Sequence, residues 1–163
     1  MYLRGDFVFR KMRRFKQQIS DEKCIEILKT EPRGVLALHG EDGYPYALPL
    51  NQYYHNGKLY FHCAAEGHKI DAIKADPKAS FCVTDKGYKK ENEWALNINS
   101  VIVFGKISFV TDPAEKETAL RLLGNKFYPD PAEVEREIEK FLDRVCILKM
   151  SIDHMTGKLV NES

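Results

Sequence analysis

An Asn-Gly pair at 56–57, set between Tyr53-Tyr54 and Leu59-Tyr-Phe-His-Cys63, constrains this chain more than any other feature. Asn-Gly supplies the positive φ that a type I′ turn requires, and the aromatic and aliphatic runs on either side read as strands. The chain therefore reverses there as an antiparallel hairpin. Another reversal precedes it: Gly34-Val-Leu-Ala-Leu-His39 is a short apolar run, Glu41-Asp-Gly43 is a turn signal, and Tyr44 to Leu50 is an extended run containing Pro45 and Pro49. Strands joined by turns this short predict a three-stranded meander. Parallel strands need a long crossover, so a parallel Rossmann sheet is excluded here.

Helical signals bracket this centre. Ser20 offers an N-cap, Asp21 and Glu22 follow in the first turn, and Cys24, Ile25 and Leu28 form a short apolar face, predicting a helix near 21–30 that stops before Pro32. Glu66 to Pro77 reads as a short helix closed by Asp-Pro, Ala79 to Thr84 as a strand, and Asp85 to Glu93 as a charged loop. Ala95 to Val110 reads as a long or bent strand pair with Gly105 at a bulge or bend. Asp112-Pro-Ala-Glu115 and Asp130-Pro-Ala-Glu133 repeat one device: an Asp cap, Pro at the first helical position, and a Glu placed as in a capping box. The helices they start carry one-sided apolar faces, Ala119, Leu120, Leu123 and Phe127 on one and Val134, Ile138, Phe141 and Leu142 on the other, which must pack against something. Val145 to Met150 is a last strand. The sum is about six antiparallel strands and four helices, mainly β: a small barrel with helical decoration.

Composition narrows the function classes. With 25 Lys+Arg against 24 Asp+Glu among 163 residues, the chain has no electrostatic footprint for nucleic acid or an anionic membrane surface, and no apolar stretch approaches a membrane span. The length suits one domain. Residues 1–18 are basic (Arg4, Arg10, Lys11, Arg13, Arg14, Lys16) and read as an arm or docking segment ahead of a domain over 19–163. Cys24, Cys63, Cys82 and Cys146 form no CxxC pair; Cys63 and Cys82 lie in apolar runs, where a thiol acts as a small hydrophobe. The start lacks the pattern of a signal peptide, so a cytoplasmic location is expected.

Candidate chemistry is sparse. No GxGxxG, GxxxxGK[ST], HExxH or GxSxG occurs, and Gly5, Gly34, Gly40 and Gly43 fit turns better than phosphate loops. His62 falls at a strand end, and Glu66-Gly-His-Lys69 opens a helix shortly after it. A helix start exposes unpaired N–H groups and a partial positive charge that suit a phosphate, with Lys69 adding a full charge and His68 a titratable donor; exposed first-turn side chains without a ligand fit the same residues. Asn97-Ile-Asn-Ser100 is polar at alternating positions and reads as an edge turned to solvent in preference to a ligand cavity, and Asn51 has the same two readings. Trp94 is expected in the core or at a dimer contact. His62 and His68 have no third ligand, so no metal is expected.

Taken in order, Met12-Arg-Arg, Ile19-Ser-Asp, Glu41-Asp-Gly-Tyr-Pro-Tyr-Ala-Leu-Pro-Leu-Asn51, Gly57-Lys-Leu-Tyr-Phe-His62, Glu66-Gly-His-Lys69 and Ser100-Val-Ile-Val-Phe-Gly-Lys106 resemble the pyridoxamine 5′-phosphate oxidase-like FMN-binding split barrels, closest to the nitroimidazole-resistance branch. The resemblance spans about Met12 to Lys158. It implies a six-stranded antiparallel split β-barrel working as a homodimer with FMN at the interface. It places Leu48, Pro49, Leu50 and Asn51 along the flavin ring, and His62, Cys63, Ala64, His68 and Lys69 around the phosphate. It places Ser100 and Val101 where a polar group meets the flavin from across the barrel. His68 matches the position tied to substrate, hence the catalytic candidate. The implied activity is reduction of small electrophiles such as nitroaromatic compounds with electrons from NAD(P)H or another donor. A flavin-storage module without efficient turnover and a haem-related split barrel are the alternatives. Pyridoxamine phosphate oxidases proper carry extra arginines on the cofactor strand and a substrate-binding Arg near the C-terminus. Tyr46-Ala-Leu-Pro-Leu-Asn51 and His154-Met-Thr-Gly-Lys158 lack them, so the resemblance does not extend to vitamin B6 oxidation.

Overall fold

The computed structural model describes residues 9–162. After a single 3-10 turn at Phe15–Gln17 come α1 (Asp21–Thr30), β1 (Arg33–His39), β2 (Pro45–Asn51), β3 (Tyr53–His55) and β4 (Lys58–Ala64). Then follow α2 (His68–Ala75), β5 (Lys78–Thr84), β6 (Tyr88–Lys89), β7 (Leu96–Phe109), α3 (Pro113–Phe127), α4 (Pro131–Phe141) and β8 (Val145–Glu162). All pairings are antiparallel, in the order β2-β1-β5-β7-β8-β4-β3 with β6 against β7. Among the described residues the sheet has eight strands, six of seven residues or more and two short ones, against the six expected. It does not close: β2 and β3 stand at opposite ends of the path.

Local signals act where the sequence places them. Asn56 and Gly57 take φ of 47° and 73°, as the turn between β3 and β4 demands. Ser20 Oγ accepts the Lys23 N–H, and Asp112 and Asp130 accept those of Glu115 and Ala132. The capping box is not completed at Asp112, because Glu115 instead takes hydrogen bonds from Lys149 Nζ (2.8 Å) and the Tyr60 hydroxyl (3.0 Å).

The predicted meander is corrected at Gln52. This residue is fully buried between β2 and β3, and its Nε2 donates to the Leu28 and Glu31 carbonyls (2.6 and 2.7 Å) while its N–H donates to the Pro32 carbonyl (3.1 Å). These bonds to the end of α1 break the extended run. The chain crosses from one side of the opening to the other, and β4 takes β8 as its second neighbour. Ala95 to Val110 is essentially one strand rather than a pair. Its register against β8 slips between Phe104 and Gly105, the expected irregularity, and a Cβ at Gly105 would run into the Ser151 carbonyl. β8 runs well past the Met150 end expected for it.

Leu36, Phe61, Phe81, Val101, Leu148 and Met150 fill the interior, with Ile27 and Leu28 of α1 and Ile70 and Ile73 of α2 in the same cluster. Each such side chain contributes roughly 1.5–3 kcal/mol through burial. The apolar stripe of α3 packs on the barrel, with Ala119 and Leu123 on Tyr60, Val110 and Ile147, and α4 packs on α3 where Gly124 lies against Val134, leaving Phe141 exposed. Arg121 bonds Glu117 and Glu135 across that helix pair. On the outer face of β1, β5 and β7, Val35, Ile102 and Phe104 are exposed at 43, 37 and 38% among the described residues, with the Phe9 ring 5.5 Å from that of Phe104.

Four further expectations change. Asn97 and Asn99 are buried on the central strand β7 instead of turning to solvent: Asn99 binds the Asp85 carboxylate (2.7 Å), and Asn97 bonds the Tyr88 carbonyl and Asn161. Trp94 is 88% exposed, with Lys89 Nζ over its ring, so it is not a core residue. Gly34 lies within β1 and not in a turn, because a Cβ there would strike the Phe81 ring. Cys82 is exposed on the outer face, since alternation along β5 gives the interior to Phe81 and Val83. The N-terminal arm lies partly outside the described residues, as do Arg4 and Gly5. From residue 9 onward it docks on β8, with Phe9 stacked on His154 (4.5 Å) and Gln18 bridged to Lys158.

Candidate functional site

The opening of the sheet lies between β2 and the β3–β4 hairpin, and the crossover at Gln52 joins its two sides. On β2 the period of two turns Tyr46, Leu48 and Leu50 toward the core cluster, leaving Pro49 exposed and Asn51 half-buried. Arg33 Nε donates to Asn51 Oδ1 (2.8 Å), a bond that the β1–β2 register sets by placing the two residues opposite each other. On β4, Cys63 points inward while His62 and Ala64 are exposed. The start of α2 completes the group.

Gly67 caps α2 with φ 113° and no side-chain bond, whereas α1, α3 and α4 are each capped by a side chain. The His68 ring stacks on Tyr46 at 4.2 Å. Lys69 is half-buried, pairs with no carboxylate among the described residues, and lies near enough to Cys63 for its charge to favour the thiolate. Partial burial, and then the Lys69 charge, hold the His62 imidazole below its ordinary pKa, so it is mainly neutral at pH 7. Asn51 and His62 share a cleft of about 650 Å³ with Leu120, Phe127, Tyr128 and Arg144 of the α3–α4 region. A larger depression of about 1170 Å³, between Phe9, Tyr44, Phe104 and Lys106, contains none of the predicted site residues.

The structure therefore assembles Leu48 to Asn51, His62 to Ala64, His68 and Lys69 around one opening. It does not bring Ser100 and Val101 there: β1 and β5 lie between β2 and β7. Val101 is fully buried in the core, and Ser100 faces outward opposite Thr84 and Lys158. Sequence reasoning missed Tyr46 and Arg33. Tyr46 was legible from its alternation with Leu48 and Leu50, and Arg33 from counting back across the Glu41-Asp-Gly43 turn to Asn51. Among the described residues no three His, Cys, Asp or Glu side chains are grouped to hold a metal, and no helix is long and apolar enough to cross a membrane.

The fit to a flavin rests on this geometry. A helix start without a side-chain cap, open space around Gly67 and a half-buried lysine with no carboxylate partner among the described residues have the chemistry that a phosphate needs. Beside it, the cleft has aromatic and apolar walls and a few fixed polar groups, as a ring system needs. An open antiparallel sheet with helices on its flank and such a cleft at the opening defines the class: a split barrel. The sequence profile of the pyridoxamine 5′-phosphate oxidase family matches residues 20–159, and the chain belongs to that family.

Solved structures agree on the fold. A candidate 5-nitroimidazole antibiotic resistance protein from Bacteroides thetaiotaomicron is 23% identical with a TM-score of 0.74, covering 88% of this chain and 87% of that one. An FAD-binding protein from Mesorhizobium loti is 20% identical with a TM-score of 0.67, covering 88 and 97%. An FAD- and heme-binding protein from Mycobacterium smegmatis is 24% identical with a TM-score of 0.70, covering 88 and 73%. A search of curated proteins gave no match.

Proposed function

We propose that the protein is an FMN-dependent oxidoreductase that passes electrons from NAD(P)H or a similar donor to small electrophiles such as nitroaromatic compounds, in the cytoplasm. The observation that carries this reading is the convergence of three separate segments on one opening, with Lys69 uncommitted to any carboxylate among the described residues. A lysine held there without an acidic partner is placed to pair with an anion that a ligand brings.

Lys69 and the first N–H groups of α2 would hold the phosphate, and the ring system would lie along Pro49 and Asn51. A bound flavin supplies two-electron chemistry. The chain's own residues do the rest. Arg33 fixes the Asn51 amide, neutral His62 offers one donor and one acceptor, and the α3–α4 pair walls one side of the cleft against water. His68, exposed and held flat against Tyr46, is placed to hold or move a proton at the substrate.

The same reading makes the protein a homodimer. Ala119 and Leu123 of α3 and Val134 and Ile138 of α4 are buried within the chain, while Val35, Ile102 and Phe104 stay exposed on the sheet face that continues toward Pro49. A second copy covers that face, brings its Ser100 toward the flavin of the first, and leaves Trp94 available for the contact.

The test is a visible absorption spectrum of the purified protein, taken again after adding FMN or FAD and desalting. About one retained FMN per chain supports the reading, and retained FAD in preference changes the cofactor. A protein that holds neither overturns it. Steady-state oxidation of NADH or NADPH with a nitroaromatic acceptor then separates an enzyme from a storage module, and a Soret band would mark a haem protein.

A further inference from the structure

Cys63 and Cys146 face each other where β4 pairs with β8, and both are half-buried free thiols. The ladder fixes their separation. Ile147 accepts the Val110 N–H (2.9 Å) from the β7 side. Successive residues of a strand turn their backbone groups to opposite neighbours, so Cys146 turns its own toward β4, which makes Cys63 and Cys146 a hydrogen-bonded pair. Such pairs hold their Cα atoms about 5.5 Å apart, within the disulfide range, while their Cβ atoms stand near the far end of the roughly 4.5–5.5 Å cross-strand spacing, so bridging draws the two strands together by about 1 Å. The two thiols lie close enough for each to influence the other's ionisation, and the Lys69 charge acts on the Cys63 sulfur as well. The remaining cysteines have no such arrangement: Cys24 is fully buried on α1, and Cys82 faces Val35 and Ile102 across its two ladders.

We propose that Cys63 and Cys146 are an oxidisable dithiol that a small hydroperoxide converts to an intramolecular disulfide. One thiolate attacks the peroxide O–O bond, becoming a sulfenic acid and releasing water or an alcohol. The second sulfur displaces the sulfenic oxygen as water, so two thiols and hydrogen peroxide give one disulfide and two waters. Dithiothreitol reverses the step by exchange. Burial, aided by Cys146, pushes the Cys63 thiol up to about 11 against the pull of Lys69. The thiolate is thus scarce at neutral pH, and oxidation accelerates by about tenfold per pH unit on the way to that value.

The pair also touches the proposed cofactor cradle. Once the disulfide forms, Lys69 has no thiol or thiolate beside it to draw its ammonium, which is left to a phosphate. This coupling rests on the flavin reading, and the disulfide itself does not. Oxidised protein is expected to hold FMN roughly two- to tenfold more tightly, the worth of one redirected hydrogen bond.

The experiment treats a Cys24→Ser/Cys82→Ser variant with hydrogen peroxide at several pH values, counts thiols, and maps non-reduced peptides by mass spectrometry. If that variant does not fold, the same map is made on the natural chain. Both thiols are expected to disappear together, with a Cys63–Cys146 linked peptide that dithiothreitol removes and that Cys63→Ser or Cys146→Ser prevents. Persistent thiols, independent sulfinic acids or only intermolecular links overturn the proposal. FMN titration of the two redox states completes it. Equal affinities overturn the coupling and leave the disulfide standing, whereas no binding in either state overturns the flavin reading alone.

Discussion

Lys126 is the group whose perturbation tests the architecture most directly. It lies at the end of α3, and its Nζ donates to the Glu31 carbonyl (2.8 Å) and the Gln52 carbonyl (3.0 Å), tying α3 to the crossover that carries Asn51 into the opening. Burial pulls its ammonium down to about 8, with the Glu31 charge acting the other way. In the unfolded chain a lysine titrates near ~10.4. Between those values the unfolded state binds more protons than the folded one, so this residue makes stability rise with pH from about 8 to about 10.4. The limiting slope is about 1.4 kcal/mol per pH unit. Taken across that window and discounted for partial solvent access, the slope leaves a gain of about 1–2 kcal/mol. Lys126→Met keeps the apolar stem and removes the charge. Its urea-unfolding free energy, measured against the natural protein at pH 7.5, 8.5, 9.5 and 10, cancels every other titrating group. The gap in favour of Lys126 should widen with pH by that amount. A gap that stays flat or narrows would show that the two carbonyls keep the ammonium at its ordinary pKa, and the desolvation argument would fail.

Three other outcomes follow from the site and the outer face. Lys69→Glu should weaken FMN retention by about ten- to a hundredfold, the cost of losing one charge-assisted bond and adding a repulsive charge, and unchanged affinity in a fluorescence titration would remove Lys69 from the phosphate cradle. His68→Ala should leave flavin bound while slowing turnover by about a hundredfold, and unaltered rates would take His68 out of the chemistry. Ile102→Asp places a carboxylate on the exposed face of β7 and should give a folded monomer by light scattering; a variant that remains dimeric would locate the interface elsewhere.

Much of this protein is legible in short stretches of sequence, because the interactions involved span only a few residues. The positive φ at Asn56 and Gly57 fixes a hairpin without outside help. Ser20, Asp112 and Asp130 each cap a helix through an N–H two or three positions on. Segments that resemble a known family also put Asn51, His62, His68 and Lys69 at one site; in the fold Asn51 and His62 share a cleft, Lys69 lies near His62, and His68 stacks on Tyr46.

What lies between those segments was decided by tertiary structure. Nothing in Leu48-Pro-Leu-Asn-Gln52 announces that a glutamine side chain will satisfy the end of α1 and switch the chain across the opening, since its partners come from another element. The pairing of β4 with β8 joins residues far apart in sequence and wins through the burial of Leu59, Phe61, Leu148 and Met150, which no local pattern can weigh. That pairing sets Cys63 against Cys146. The strand order likewise puts Val101 inside the core, where the resemblance alone had set it by the flavin, and Asn99 on Asp85, although Asn99 read locally as a neighbour of solvent or of a ligand. Propensity, turns and caps determined the elements of this chain; which faces met, and hence which polar groups were buried, was determined by the summed burial of residues distant in sequence.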